Sequence, residues 1–419
     1  MRRAAIVAVA MLLALAAAVF ALNLRDESPL VPDAAAPTAA QVARGAYLAR
    51  AGNCQGCHTE RGGAPYAGGR GIATPFGTVY APNLTPHPEH GLGRWTMAQF
   101  WRAMHNGRSA DGRLLYPAFP YTELTRITRA DSDALFAYLR SLPPSATPNR
   151  PHALGFPYNT QAALAVWRAA FFRPGQARHD AARTPAWNRG AYLVEGLGHC
   201  NACHSSRNAL GASSGSALGG GLIPIQNWYA PSLSDADEAG VAGWPLPEIV
   251  ALLHSGVAPG GRVTGPMAEV VGGSLSHLEP DDLIAMATYL KELPRETAEV
   301  PPPAAPIVPA ALEQGEKLYR RHCVDCHGAQ GEGAAPAYPA LAGNRAVTMG
   351  SAANLVHIVL EGGFGPATAD NPRPYGMPPF AIELSDAELA SVLSYVRGAW
   401  GNRGTEVSPL DVTRLRNGR

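Results

Sequence analysis

The pattern Cys-x-x-Cys-His occurs three times, as Cys54-Gln55-Gly56-Cys57-His58, Cys200-Asn201-Ala202-Cys203-His204 and Cys323-Val324-Asp325-Cys326-His327, and it uses all six cysteines of the chain. No other feature limits the possible folds so tightly. Two thiols at this spacing add across the vinyl groups of a porphyrin, and the adjacent imidazole reaches the iron, so the pattern is the attachment signal of a c-type haem. The competing use of a Cys-x-x-Cys pair is half of a zinc site, which needs two further Cys or His ligands; no cysteine is left over. Cys54, Cys57, Cys200, Cys203, Cys323 and Cys326 are expected to hold three covalent haem c groups, with His58, His204 and His327 as proximal iron ligands.

At 419 residues the chain suits roughly two to four domains, and the motifs point to three haem-centred units of about 90 to 150 residues. The formal charge is +1 and 16% of residues are charged, so nothing marks a nucleic-acid surface, and partners are expected to be proteins met over neutral patches. Glycine (45) and proline (38) are both abundant, as in folds whose short helices are joined by long loops.

Met1-Arg2-Arg3 followed by an apolar run from Ala4 to Leu22 reads as an export segment. Val19-Phe20-Ala21 could serve a signal peptidase, while the run is also close to the ~20 residues that span a bilayer, so both a cleaved signal peptide and a retained anchor stay open. Either way the cysteine-rich part is exported, which fits a periplasmic-type location. Asp26 to Ala40 is rich in Pro and Ala and is expected to be a disordered tether.

Repetition extends beyond the cysteines. Each motif is approached by a helix-like segment holding a glycine: Arg44-Gly45-Ala46-Tyr47-Leu48, Arg189-Gly190-Ala191-Tyr192-Leu193 and Gln314-Gly315-Glu316-Lys317-Leu318-Tyr319. Glycine inside a helix costs roughly 1 kcal/mol relative to alanine, so its recurrence implies close approach of another helix. A middle helix follows with Met97, Phe100, Trp101 and Met104 on one face, and a shift of 149 residues places Leu246, Ile249, Val250 and Leu253 on them. A weaker third copy is Ala352, Leu355, Val356 and Val359. Closing helices are expected over Asp131 to Leu142, Asp281 to Leu293 and Asp386 to Trp400, the last with Ser385 and Glu388 as a capping box. Between the first two repeats, Ala162 to Phe172 is an apolar helix suited to core packing or to docking on a partner or membrane.

Thioether ligation on the open face of each iron suits electron transfer. Met377, in Tyr375-Gly376-Met377-Pro378-Pro379-Phe380, and Met267, in Gly265-Pro266-Met267, are the expected distal ligands of the third and second haems. The corresponding first loop, Leu115 to Tyr121, has Phe119 in that place. Met97 and Met104 align with leucines and read as core, and His105 aligns with His254 and reads as structural; His87 and His90 stay open as ligands. The first haem is expected to be five-coordinate or unusually ligated.

From about residue 41 to 410 the chain resembles the triheme cytochrome c subunits of bacterial membrane-bound dehydrogenases, most specifically in TPFGTVYAPNLTP, GLGRWTMAQFWRA, DGRLLYPAFPY, RGAYLVEGLGHCNACH, GPMAEVV, YGMPPFA and YVRGAWGN. The resemblance implies an all-α chain of three tandem class I-like cytochrome c domains with long loops, in which the first and last helices of each domain cross. The expected divisions are 1–22 signal peptide or anchor, 23–40 spacer, 41–143 first domain, 144–186 inter-domain segment, 187–296 second domain, 297–310 Pro-rich linker, 311–400 third domain and 401–419 tail. It further implies electron transfer from a periplasmic dehydrogenase subunit of quinoprotein, flavoprotein or molybdenum type to ubiquinone or a terminal oxidase chain, at the periplasmic side of the cytoplasmic membrane. Phe119 departs from the alcohol-dehydrogenase pattern and favours the molybdenum-linked relatives. The alternative is a haem enzyme or ligand sensor using an open first iron, although the loop there offers mainly Tyr116 and Tyr121 as polar distal groups.

Overall fold

The computed structural model describes residues 1–25, 27–30, 36–295, 307–335 and 337–417. Residues 26 and 31–35 of the expected spacer, residue 296 at the end of the expected second domain, and residues 297–306 of the expected linker lie outside the described residues. The chain divides into two compact units, one of Met1–Ala181, Tyr192–Ala202 and Ala209–Ala212, the other of Ala182–Ala191, Cys203–Asn208 and Ser213–Arg419. Helices dominate both. Among the described residues the helices are joined by short antiparallel ribbons, the largest a three-stranded sheet of Gly71–Thr74, Gly77–Tyr80 and Ala153–Leu154 in the first unit, which the long polar loops did not announce.

In the first unit α1 spans Arg2–Asn23, a helix long and apolar enough to cross a membrane, with mean hydropathy 2.9 in its apolar window. Helix α2 (Ala39–Ala51) starts with a capping box between Thr38 and Gln41, and α3 (Met97–Asn106) with one between Thr96 and Gln99. Helix α3 stops at Gly107, whose φ of 58° is left-handed. Helix α4 (Arg129–Ser141) begins two residues before the expected start because Thr128 caps it. Helices α2 and α4 cross at Gly45: a Cβ there would overlap the carbonyl oxygen of Ala134 and come within 2.8 Å of Tyr138 Cβ.

Helix α5 (Gln161–Phe171) buries Leu164, Arg168 and Ala169. Its buried Arg168 donates to Asn23 Oδ1 (2.8 Å) and to the carbonyl oxygen of Gly107 (3.3 Å), and lies over the rings of Tyr121 and Phe172. Asn23 also donates to the carbonyl oxygen of Ala165, and Arg108 pairs with Glu27 at 2.5 Å. The end of the apolar helix and the residues after it are thus fastened to the first repeat by buried polar contacts, while Val166 of α5 stays exposed.

In the second unit, α6 (Pro185–Ala191) crosses α9 (Pro280–Lys291), with α7 (Leu246–Ser255) and α8 (Pro266–Gly273) between them in the chain. The crossing is at Gly190, where a Cβ would overlap the carbonyl oxygen of Ala285 and approach Tyr289 Cβ to 2.7 Å. Helix α10 (Pro309–His322) crosses α12 (Asp386–Gly398) at Gly315, whose Cβ would overlap the carbonyl oxygen of Ser391 and meet Tyr395 Cβ at 2.6 Å. The helix approach inferred from the three glycines is therefore present each time. Arg44 pairs with Asp131 across the first crossing, and Arg189 pairs with Asp282 across the second. Ser385 and Glu388 form the expected capping box of α12. Helices α4, α9 and α12 end at Ser141, Lys291 and Gly398, one or two residues short of expectation.

One register differs. Helix α11 (Ala353–Glu361) buries Ala353, Val356, His357 and Leu360, whereas Ala352, Leu355 and Val359 are only partly buried against the core of Leu318, Tyr319, Leu389, Leu393 and Val396. The difference arises because the neighbouring repeat covers the His357 side of the helix.

Candidate haem sites

Each Cys-x-x-Cys-His motif folds as about one helical turn, Cys54–Cys57, Cys200–Ala202 and Val324–His327. The residues before the first two motifs, Asn53 (φ 48°) and His199 (φ 39°), adopt left-handed backbone, which few non-glycine residues do without a local reason. No disulfide joins any of the six cysteines. Burial, with the neighbouring Cys57 thiol adding, pushes Cys54 up to about 12, and burial together with Cys326 pushes Cys323 up to about 11, so both stay as S–H at neutral pH.

The three histidines share one arrangement. Nδ1 of His58 donates to the carbonyl oxygen of Pro82 at 2.8 Å, Nδ1 of His204 to that of Pro231 at 2.7 Å, and Nδ1 of His327 to that of Pro339 at 3.0 Å. A carbonyl only accepts, so each proton sits on Nδ1 and each Nε2 keeps its lone pair for a metal. Burial lowers the pKa of all three, with the Arg262 guanidinium adding to the effect at His327. The neutral imidazole that iron requires is thereby favoured.

The loop that fixes each histidine also meets the loop expected to face the iron. In the second repeat the ring of Trp228, three residues before Pro231, lies 2.7 Å from where a Cβ on Gly265 would be, two residues before Met267. In the third, Tyr338 beside Pro339 contacts Tyr375, two residues before Met377, with ring centroids 5.3 Å apart. In the first, His152 joins the two loops: its Nδ1 accepts from the Tyr80 amide at 3.1 Å, and its ring lies 5.1 Å from that of Tyr116, three residues before Phe119. Met267, in the first turn of α8, and Met377, in the ribbon Gly376–Met377, are half-buried, as is Phe119.

The remaining candidates have local partners. Met104 is buried in α3 and Met97 half-buried at its start. His105 is buried, donates from Nδ1 to the carbonyl oxygen of Thr125 at 2.8 Å and stacks on Trp101. Nδ1 of His254 lies 3.0 Å from Asp370 Oδ2. His87 accepts at Nδ1 from the amides of Glu89 and His90 and stacks on the His90 ring, so it caps a turn.

Sequence reasoning passed over the three proline carbonyls, although the 149-residue shift that aligns the middle helices also places Tyr80-Ala81-Pro82 on Tyr229-Ala230-Pro231. It also passed over His357. This residue is 2% exposed, donates from Nδ1 to Glu361 Oε1 at 2.8 Å and stacks on Trp228 with centroids 5.1 Å apart. Nearby, the Asn354 amide donates to the Tyr229 carbonyl and accepts from the Tyr229 amide at 2.7 and 2.8 Å. No local pattern signals such partners, which lie more than a hundred residues away in the chain.

A family model described as cytochrome c matches residues 42–143 and 312–400. One of the subunits of the nicotinate dehydrogenase of Pseudomonas putida is 41% identical over 369 residues, covering 86% of this chain; the chain spans only 30% of that protein's length. The cytochrome c subunit of the quinone alcohol dehydrogenase of Gluconacetobacter polyoxogenes is 37% identical over 419 residues, covering 96% of this chain and 89% of the relative. The gluconate 2-dehydrogenase cytochrome c subunit of Pantoea cypripedii is 35% identical over 395 residues, covering 90% of each.

Proposed function

Because the chain belongs to the family of cytochrome c subunits of bacterial dehydrogenases, a family of electron-transfer proteins with covalently bound haem c, we propose that it is a triheme member. In this reading it takes electrons from a dehydrogenase catalytic subunit that oxidises an alcohol, a sugar acid or an aldehyde. It delivers them to ubiquinone or the respiratory chain. The observation that carries the count of three is the repeated bond from a motif histidine to a proline carbonyl, at His58, His204 and His327.

Bound haem supplies one-electron chemistry at iron. The thiols of Cys54, Cys57, Cys200, Cys203, Cys323 and Cys326 fasten it, the three imidazoles present a neutral Nε2, and Met267 and Met377 offer thioether sulfurs to the second and third irons. Phe119 offers nothing to the first. The catalytic partner is of quinoprotein, flavoprotein or molybdenum type. We place the chain at the periplasmic side of the cytoplasmic membrane, with α1 as export signal or anchor; the polar contacts of Asn23 and Glu27 with Arg108 of the first repeat support a fixed relation between that segment and the haem-binding part.

Stopped-flow mixing of the purified chain with reduced candidate dehydrogenases tests the proposal. Fast haem reduction by one class of dehydrogenase, with negligible peroxide turnover, is the expected outcome. Peroxide turnover without reduction by any dehydrogenase would overturn it.

A further inference from the structure

Inside the first compact unit, the segments leading into the first and second motifs touch. Nε2 of His199 donates to the carbonyl oxygen of Gly52 at 3.2 Å. Gly52 stands two residues before Cys54, and His199 immediately before Cys200. The approach is close: a Cβ on Gly52 would lie 3.3 Å from Leu197 Cδ1 and 3.4 Å from the Leu197 carbonyl oxygen. Burial lowers the pKa of His199, which keeps the ring a neutral donor.

Two irregularities deliver this contact. Residues Tyr192–Leu197 form a π-helix, a wide turn that is uncommon and concentrates at functional positions. His199 then takes a φ of 39°, a left-handed conformation uncommon outside glycine that histidine adopts more readily than most side chains. The π-helix is itself held to the first repeat, since Tyr192 donates its hydroxyl proton to Asp131 Oδ2 at 2.6 Å and accepts from the Thr128 amide at 3.2 Å. The backbone departs from a regular helix over eight residues, Tyr192 to His199, and brings the His199 ring onto the Gly52 carbonyl.

We propose that His199 is the electron-transfer contact between the first and second haem sites. The inference rests on the reading that both motifs hold haem. A thioether at Cys54 and one at Cys200 would be joined by a short run of backbone, the single hydrogen bond from His199 to Gly52, and the His199-Cys200 peptide. With haem bound at both motifs, this route would carry one electron between the two sites, with no bond broken and no proton moved. His199 touches neither iron and acts as a positioning and coupling residue, because tunnelling falls steeply wherever a bonded path is replaced by a gap.

The test uses the full chain with its haems, reduced by a short pulse of a one-electron donor, with the spread of that electron followed optically. His199→Leu removes the donor, and His199→Gln restores an N–H able to reach the Gly52 carbonyl. Expected for His199→Leu is intramolecular equilibration slower by about an order of magnitude, with midpoint potentials and haem content unchanged and the rate largely recovered in His199→Gln. Unaltered equilibration in His199→Leu overturns the proposal. If that variant fails to mature, electron paramagnetic resonance of the wild-type oxidised protein decides: dipolar broadening between the first and second ferric centres supports the contact, and its absence overturns it. A wild-type mass short of one haem would instead sink the reading that all motifs are filled.

Discussion

His58 holds its imidazole by a 2.8 Å bond from Nδ1 to the carbonyl oxygen of Pro82, a residue 24 positions further along the chain. His204 reaches Pro231 across 27 positions and His327 reaches Pro339 across 12. The acceptor thus meets the same ring nitrogen each time, although the loop between differs more than two-fold in length.

Three such histidines predict three covalent haems per chain. Intact mass and haem staining of a denaturing gel measure this. Replacing both cysteines of any one motif by serine should remove one haem and leave the other two.

Met267→Ala and Met377→Ala should each remove one share of the near-infrared sulfur-to-iron band and lower one midpoint potential, because the thioether favours reduced iron. An unaltered spectrum in either variant excludes that sulfur as a ligand.

Phe119 should make the first haem the odd one. With no replacement ligand, about one-third of the ferric iron should be high-spin, and carbon monoxide should bind one reduced haem. Phe119→Met should convert that centre to His/Met ligation and raise its potential. Three equivalent His/Met centres in the wild-type protein would assign the ligand to another methionine, with Met104 the first to examine.

At the helix crossings, Gly45→Ala or Gly315→Ala should destabilise the chain by at least ~1–3 kcal/mol, the usual range for overpacking a close contact, because the added methyl meets backbone as well as a tyrosine Cβ. Gly350→Ala, where nothing lies within 4 Å of the new methyl, is the matched control. Thermal denaturation of the haem-loaded proteins reads the difference.

Acid should weaken the fold through His152 and His199, which are not iron ligands. Desolvation holds both below the ordinary 6.5, with the Arg113 guanidinium adding at His152, so their contribution to stability is present above the unfolded value and is lost as pH falls through the folded one. Melting temperature and Soret position between pH 7 and pH 4 check the sign; a melting temperature that rises on acidification contradicts it.

The sequence exposed whatever is local or repeated. Cysteine spacing marked the motifs, a glycine in each approach helix marked the crossings, and Ser385 with Glu388 marked the start of α12. What it hid depends on partners distant in the chain. Nothing local marks His357, whose ring stacks on the distant Trp228, or His199, whose ring reaches Gly52. The ribbons were equally silent, since two-residue pairings such as Gly363–Phe364 with Gly376–Met377 leave no period to read.

Closure of each repeat at a glycine has an evolutionary consequence. Because first and last helices lock together at Gly45, Gly190 and Gly315, the ends of a repeat meet whatever the length of chain looped out between them. Insertions of the kind that separate the 12-residue span of the third repeat from the 27-residue span of the second then alter the covering of the iron without disturbing the clasp. A chain built on such clasps can be remodelled in its loops to suit a different electron donor while its internal skeleton is inherited unchanged.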